Sequence, residues 1–214
     1  MNEFKALAPC TMLSPVPVVM VSCAGGDEKS NIITVAWTGT VNSDPPMVSV
    51  SLKKCRHSHH IIQQSGEFVL NLVDTAHCAD ADWCGVRSGS QFDKFAQRGL
   101  TPIPVGELQS APAIGECPAH LACKVKQVIE LGSHDLFLAE IVGVHIREDL
   151  FDPDGTLHLE RADLVCYNHG LYQRTAEVLG FFGYSVARPE VLSRRMAPYR
   201  KSSSRKRAKS STSE

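Results

Sequence analysis

The stretch Leu52-Lys53-Lys54-Cys55-Arg56-His57-Ser58-His59-His60 gathers cations, imidazoles and a hydroxyl at the junction between a predicted strand and a predicted helix. Free N–H groups at a helix start favour an anion, and a guanidinium meets phosphate oxygens with a fork of donors. Arg56 and Ser58 are therefore candidate phosphate ligands, with Lys53 and Lys54 competing for the cationic role. The plainer reading of the same residues is a solvated loop followed by a helix that Ser58 caps. His57, His59 and His60 raise the question of a metal ion. No carboxylate lies near them in sequence, however, and one helix cannot aim adjacent residues at one ion, so no metal site is expected.

A second stretch, Asn31-Ile32-Ile33-Thr34-Val35-Ala36-Trp37-Thr38-Gly39-Thr40, sets an amide, hydroxyls and one large aromatic along an otherwise apolar run. Such a wall suits a flat heteroaromatic ring, which needs apolar or aromatic contact on its faces and a few amide-type groups at its edge. Asn31, Thr34, Ala36 and Trp37 are the candidates along it. Against that, a Trp in a strand is usually an ordinary core residue.

These residues need elements to hold them. Residues 16–22 are apolar and β-branched, Ala24-Gly25-Gly26-Asp27 turns the chain, and residues 32–37 resume an extended pattern, which is the logic of a hairpin. Residues 47–52 read as a further strand after Asp44-Pro45-Pro46. Residues 58–64 read as a helix stopped at Gly66, and 67–73 as a strand. Short helices broken by Gly85 and Gly89 fill 74–98, and prolines make 100–118 mostly loop. Residues 121–131 and 136–146 form a predicted hairpin whose tip, Gly132-Ser133-His134-Asp135, presents His134. Asp152-Pro153-Asp154-Gly155 is a turn. Short, mostly antiparallel strands with inserted helices predict an α+β protein on a closed or partly closed barrel.

Composition narrows the function. With 214 residues, 43% hydrophobic and 21% charged, the chain reads as one globular domain over residues 1–199. Residues 200–214 carry six basic side chains against Glu214, a net +5 that leaves −6 on the remainder. This Ser-rich tail has almost nothing apolar to bury and reads as a solvated extension, with a nucleic-acid or nuclear-import arm as the rival. No nucleic acid is expected as partner. Glycine-rich dinucleotide and phosphate loops are lacking, as is any Cys-x-x-Cys among the eight cysteines, so reduced structural thiols are expected. The apolar run 16–21 ahead of Ser22 and Cys23 faintly resembles a lipoprotein signal. It is too short to span a membrane and is interrupted by proline, so the expectation is a buried strand in a cytoplasmic protein with no membrane partner.

In their order along the chain, several segments resemble the flavin reductase-like family with the FMN-binding split barrel, most closely its flavoredoxin-like branch. They are Pro17-Val18-Val19-Met20-Val21-Ser22, the Asn31 to Trp37 run, Asp44-Pro45-Pro46, Arg56-His57-Ser58 and Gly66-Glu67-Phe68-Val69-Leu70-Asn71-Leu72. Ser88-Gly89, Asp93-Lys94-Phe95, Gly132-Ser133-His134-Asp135 and the segment from Tyr167 to Gly183 continue the pattern. The resemblance implies an α+β, mostly antiparallel Greek-key split β-barrel holding FMN. It implies Asn31 and Trp37 at the flavin ring, Ser58 and Lys94 on the ribityl phosphate side, and His134 and Tyr167 completing the pocket, with Arg56 as an added phosphate partner. Ser58 stands where the family often has Thr. The implied activity is an NAD(P)H-dependent flavin reductase that moves hydride from nicotinamide to flavin. The alternative is a flavoredoxin-like electron carrier reduced by a protein partner. His134 is the one catalytic candidate, with a purely structural histidine as its rival, and a homodimer is implied with flavin near the subunit boundary.

Overall fold

The computed structural model of the chain describes residues 2–26, 28–175 and 177–199. It contains β1 (Val16–Pro17), β2 (Val19–Gly25), β3 (Glu28–Val35), β4 (Thr38–Ser43), β5 (Pro46–Leu52), β6 (Glu67–Leu72), β7 (Pro102–Ile103), β8 (Ala113–Ile114), β9 (Ala119–Glu130), β10 (Asp135–Ile146), β11 (Val165–Asn168) and β12 (Leu171–Arg174). The helices are α1 (His57–Ser65), α2 (Cys78–Val86), α3 (Lys94–Arg98) and α4 (Pro189–Met196).

One seven-stranded antiparallel sheet runs in the order β3-β2-β6-β9-β10-β5-β4. Its two edge strands, β3 and β4, are joined directly in the chain by Ala36 and Trp37. A sheet whose opposite edges are two residues apart must curl until those edges meet, and the missing β3–β4 ladder is the split in the barrel. Trp37 therefore sits in the split. The predicted strand over 32–37 stops at Val35 because the chain has to turn the corner there.

Alternation decides which side chains fill the interior. Val19, Val21 and Cys23 of β2 point one way, with Val48, Val50 and Leu52 of β5, Phe68 and Leu70 of β6 and Phe137 of β10, and α1 adds Ile61 and Ile62. Val18, Met20 and Ile32 point the other way, against Ala81 and Cys84 of α2, Phe95 of α3 and Val165 of β11. Both faces of β2 are covered, so it reads as an unbroken apolar run rather than an alternating one.

The hairpins form where turn chemistry allows. β2 and β3 pair with Val21 opposite Ile33. β9 and β10 pair with Asp135 opposite Glu130, and the tip closes with Leu131 N–H donating to the His134 carbonyl at 2.9 Å and Gly132 at a φ of 91°. α1 ends on Gly66 at a φ of 70°, as the sequence suggests. Its start differs from expectation. Arg56 holds the N-cap position with no side-chain cap bond, and Ser58 lies inside the first turn. Ser58 cannot cap because its hydroxyl is buried and accepts from the Asn31 amide at 2.8 Å.

The chain divides into two units at residues 175 and 176. The sequence reading carries one domain to residue 199. The second unit shows no buried apolar side chain among its described residues. Within it, the Arg195 guanidinium lies 3.9 Å from the centroid of the Phe181 ring. The basic tail, 200–214, lies outside the described residues. Among the described residues no helix is long and apolar enough to cross a membrane.

Candidate functional site

Two cavities lie against the split of the barrel. The larger, about 580 Å3, has apolar and aromatic walls from Val35, Ala36, Trp37, Leu52, Tyr167 and Tyr172, with Thr34 and His134 among its polar groups. Its volume falls within the usual range for small-molecule sites. The smaller, about 150 Å3, is bounded by Asn31, Arg56, Ser58, Arg87, Ser88, Gly89 and Lys94. Ile33, Arg56, Gly85 and Val86 belong to both, so the two adjoin.

In the larger cavity the chain turn at Ala36-Trp37 leaves the indole 46% exposed. It is not a core residue, because it stands at the sheet's split rather than inside it. The β9–β10 tip carries His134 onto it, with ring centroids 4.8 Å apart and planes tilted by 37°. The Ser133 hydroxyl lies 2.9 Å from Nδ1 of His134 and fixes the ring's rotation. Opposite, Tyr167 and Tyr172 of the paired strands β11 and β12 meet edge to face at 5.4 Å, and the Tyr172 hydroxyl donates to Asp82 at 3.1 Å.

The smaller cavity is strongly cationic. Lys94, the first residue of α3, is 2% exposed and donates to the carbonyls of Ile32 and Cys84, each at 2.6 Å. Burial pushes its pKa down to about 8, and the Arg56 guanidinium presses in the same direction. The first turn of α1 carries no acidic residue to neutralise the partial positive charge of its N–H groups. Burial likewise lowers the pKa of His57, against the pull of Glu28. Gly89 allows the loop to close on this pocket, since a Cβ there would stand 2.2 Å from Asn31 Oδ1 and 2.6 Å from His57 Cδ2. Gly85 of α2 permits a similar approach to Thr34, whose hydroxyl donates to the Ala81 carbonyl at 2.5 Å.

All nine residues singled out from the sequence line one of these cavities. Thr34, Ala36, Trp37, His134 and Tyr167 gather in the larger, and Asn31, Ser58 and Lys94 in the smaller, with Arg56 at the junction. Asn31 thus stands with Ser58 and Lys94, not beside Trp37 as the resemblance implies. β3 delivers its start to one cavity and its end to the other. Sequence reasoning misses Arg87, Asp82 and Tyr172. The helix-breaking glycines around Arg87 were a signal for a close approach, whereas nothing local marks Asp82 and Tyr172 as neighbours.

The cavities match an elongated ligand with a flat ring at one end and an anion at the other, and flavin mononucleotide has this form. The Trp37 wall suits the ring, and Arg56, Arg87, Lys94 and the open α1 N–H groups are the donor set a phosphate requires. Fold and site together define an antiparallel split barrel with an aromatic and a cationic cavity at its seam. The model of the flavin reductase-like domain matches residues 12–175, and the chain belongs to that family. Among solved structures it is similar to flavoredoxin of Desulfovibrio vulgaris (Miyazaki F), 31% identical with a TM-score of 0.80, covering 86% of this chain and 100% of that one. Flavoredoxin of Methanosarcina acetivorans is 25% identical with a TM-score of 0.77, covering 87% of this chain and 100% of that one. A NADPH-flavin oxidoreductase of Streptomyces viridifaciens is 28% identical over 164 residues, 73% of this chain and 81% of its own length.

Proposed function

We propose that the chain is an FMN-dependent oxidoreductase that takes reducing equivalents from NAD(P)H. The observation that carries this reading is the adjacency of an aromatic-walled cavity and a cationic one, with Arg56 lining both. Bound FMN supplies the redox chemistry, a ring that accepts hydride and later releases electrons. The protein's part is to bind, orient and exclude water. Arg56, Arg87 and Lys94 hold the phosphate, Ser58 offers its backbone N–H, and Trp37 with Tyr167 confines the ring. His134, held over Trp37 by the hairpin tip, orders the nicotinamide or the flavin edge from the open side.

A second reading is a flavoredoxin-like carrier reduced by another protein. The similarity to flavoredoxin of Desulfovibrio vulgaris (Miyazaki F), 31% identical across 86% of this chain, favours it. In either reading the working form is a homodimer. An apolar cavity of about 460 Å3, built from Cys10, Met12, Leu13, Val16, Trp37 and Leu136 beside the split, supports a second subunit meeting the barrel there. All eight cysteines are free, which fits a reducing, cytoplasmic setting.

The test is the absorption spectrum of the freshly purified chain followed by anaerobic titration with NADPH and NADH. Flavin maxima that bleach at one equivalent support the enzyme. Flavin that bleaches only with a reduced partner protein supports the carrier. A chain that neither retains nor binds FMN overturns both.

A further inference from the structure

Three side chains converge at the outer end of β3 and the first turn of α1. Glu28 Oε1 lies 3.2 Å from His60 Nε2, and Glu28 Oε2 lies 3.6 Å from His57 Nε2. The three ligand atoms all fall within 4.8 Å of one another. The two imidazole ring centroids are 5.0 Å apart and their planes are inclined at 68°. The sequence reading expects no metal here. His57 and His60 stand at i and i+3 and share a helix face, and β3 brings in the carboxylate that local sequence lacks. His59 turns away to Asp135, 2.8 Å from its Nε2.

We propose that Glu28, His57 and His60 form a binding site for a divalent transition-metal ion of the Zn2+ or Co2+ type. Bonds of about 2.0–2.1 Å in tetrahedral geometry separate neighbouring ligands by roughly 3.3 Å. The carboxylate lies 3.2 Å from one imidazole through Oε1 and 3.6 Å from the other through Oε2, and one ligand atom from each residue falls within 4.8 Å of the rest, so side-chain rotation is needed to bring the three onto one ion. Two imidazole nitrogens and one carboxylate select Zn2+, Co2+ or Ni2+ over Mg2+ and Ca2+, which prefer all-oxygen shells. Three protein ligands leave one position to water. All three side chains retain solvent access, with 40% exposure for Glu28, 18% for His57 and 43% for His60, which gives the ion an entry path. The ion ties β3 to α1 beside the Asn31–Ser58 hydrogen bond, and so fixes the spacing of the elements that frame the smaller cavity.

This inference is independent of the flavin reading, and its test uses no flavin. The full chain, freed of metal and kept reduced, is titrated with Co2+ and then displaced with Zn2+. One equivalent should bind with visible bands and without the intense near-ultraviolet band of a cobalt thiolate. Losing even an outer partner of a metal ligand costs about 10- to 100-fold in affinity, so Glu28→Gln and His60→Gln should each weaken binding at least that much. Saturating Zn2+ should raise the melting temperature of the parent chain and leave that of both variants unchanged. Both residues are surface-accessible, so the metal-free variants should melt near the parent. The proposal is overturned by unchanged affinity in the variants, by a thiolate band pointing to Cys10 or Cys55, or by no Co2+ binding at millimolar concentration.

Discussion

The imidazole of His134 rests 4.8 Å from the indole of Trp37, although 97 residues separate them in the chain, and the contact joins the β9–β10 tip to the corner of the split barrel. Both rings border the larger cavity, and Trp37 is nearly half exposed. Stacking a flat heteroaromatic ring on an aromatic side chain contributes about 1–3 kcal/mol. Trp37→Ala should therefore weaken FMN binding roughly ten- to hundredfold, while the protein's stability falls by about 1 kcal/mol or less. Fluorescence titration and urea denaturation separate the two effects. Unchanged FMN affinity in a folded variant removes the ring from this wall.

Lys94 predicts how affinity depends on pH. Burial lowers its pKa from 10.5 to about 8, so in the free protein the amine loses its charge as pH rises through that value. A phosphate keeps its charge over the same range. FMN affinity should accordingly fall between pH 7 and 9.5, whereas riboflavin, which has no phosphate, should bind equally well throughout. Unfolding does not mimic this. A lysine whose folded pKa lies below its unfolded one leaves the unfolded state with more bound protons between about 8 and 10.5, so this linkage raises stability as pH climbs. Parallel pH profiles for FMN and riboflavin would rule out Lys94 as a phosphate ligand.

Gly89 tests the closure of the smaller cavity. An added Cβ would sit 2.5 Å from Asn31 Cγ and 2.6 Å from His57 Cδ2, both on side chains already packed into the pocket. Overpacking of this kind costs about 1–3 kcal/mol. Gly89→Ala should lose FMN affinity by more than the neighbouring Ser90→Ala, because Ser90 is exposed and its hydroxyl bonds only Ser88. Equal affinity in the two variants would show that the loop closes without needing glycine.

The barrel's local parts were legible in the sequence, and their assembly was not. Gly66 announced the end of α1, and Gly132 the tip that carries His134, because a positive φ is a requirement written in one residue. The ordered segments around Asn31, Arg56 and Lys94 pointed to a nucleotide by resemblance. Ser58 was misread as a cap because its partner, the Asn31 amide, comes from 27 residues away. Trp37 reads from sequence as either wall or core, because periodicity does not say where a sheet turns its corner. Glu28 meets His60 across 32 residues and Tyr172 meets Asp82 across 90, and no local pattern encodes such pairs.

Glu67 is a structural anchor with a defined pH window. Its carboxylate is 5% exposed and accepts from the N–H groups of Gln109, Ser110 and Ala111 and from the Ser110 hydroxyl, pinning the proline-rich loop to β6. Burial alone would raise its pKa, but these donors together carry it below the ordinary 4.5. A carboxylate depressed on folding contributes stability that is fully present above the unfolded value and fades as pH drops below it. Glu67→Gln, which turns an amide N–H2 toward backbone donors, should cost about 1–3 kcal/mol at pH 7. The gap from the parent should narrow below pH 4.5. Denaturant midpoints at several pH values measure it, and a constant gap would contradict the charge-based account.

His59 and Asp135 are the last link between helix and hairpin, and the least replaceable one singly. They are 5% and 3% exposed, their side chains meet at 2.8 Å, and Asp135 directly follows His134. Asp135 Oδ1 is buried without a hydrogen bond, and the Lys54 ammonium lies 3.6 Å away. Removing one partner of a buried pair leaves the other uncompensated and costs about 3–5 kcal/mol, while replacing both with apolar groups is often neutral. Asp135→Ala should therefore destabilise strongly, and His59→Leu combined with Asp135→Leu should recover much of the loss, with a coupling above about 1 kcal/mol in the double-mutant cycle. Because Asp135 adjoins His134 in the chain, Asp135→Asn, which keeps an acceptor for His59, should hold FMN affinity closer to the parent than Asp135→Ala does. Additive single effects would mean that the two side chains merely lie side by side and that the strand ladder between β5 and β10 positions His134 without them.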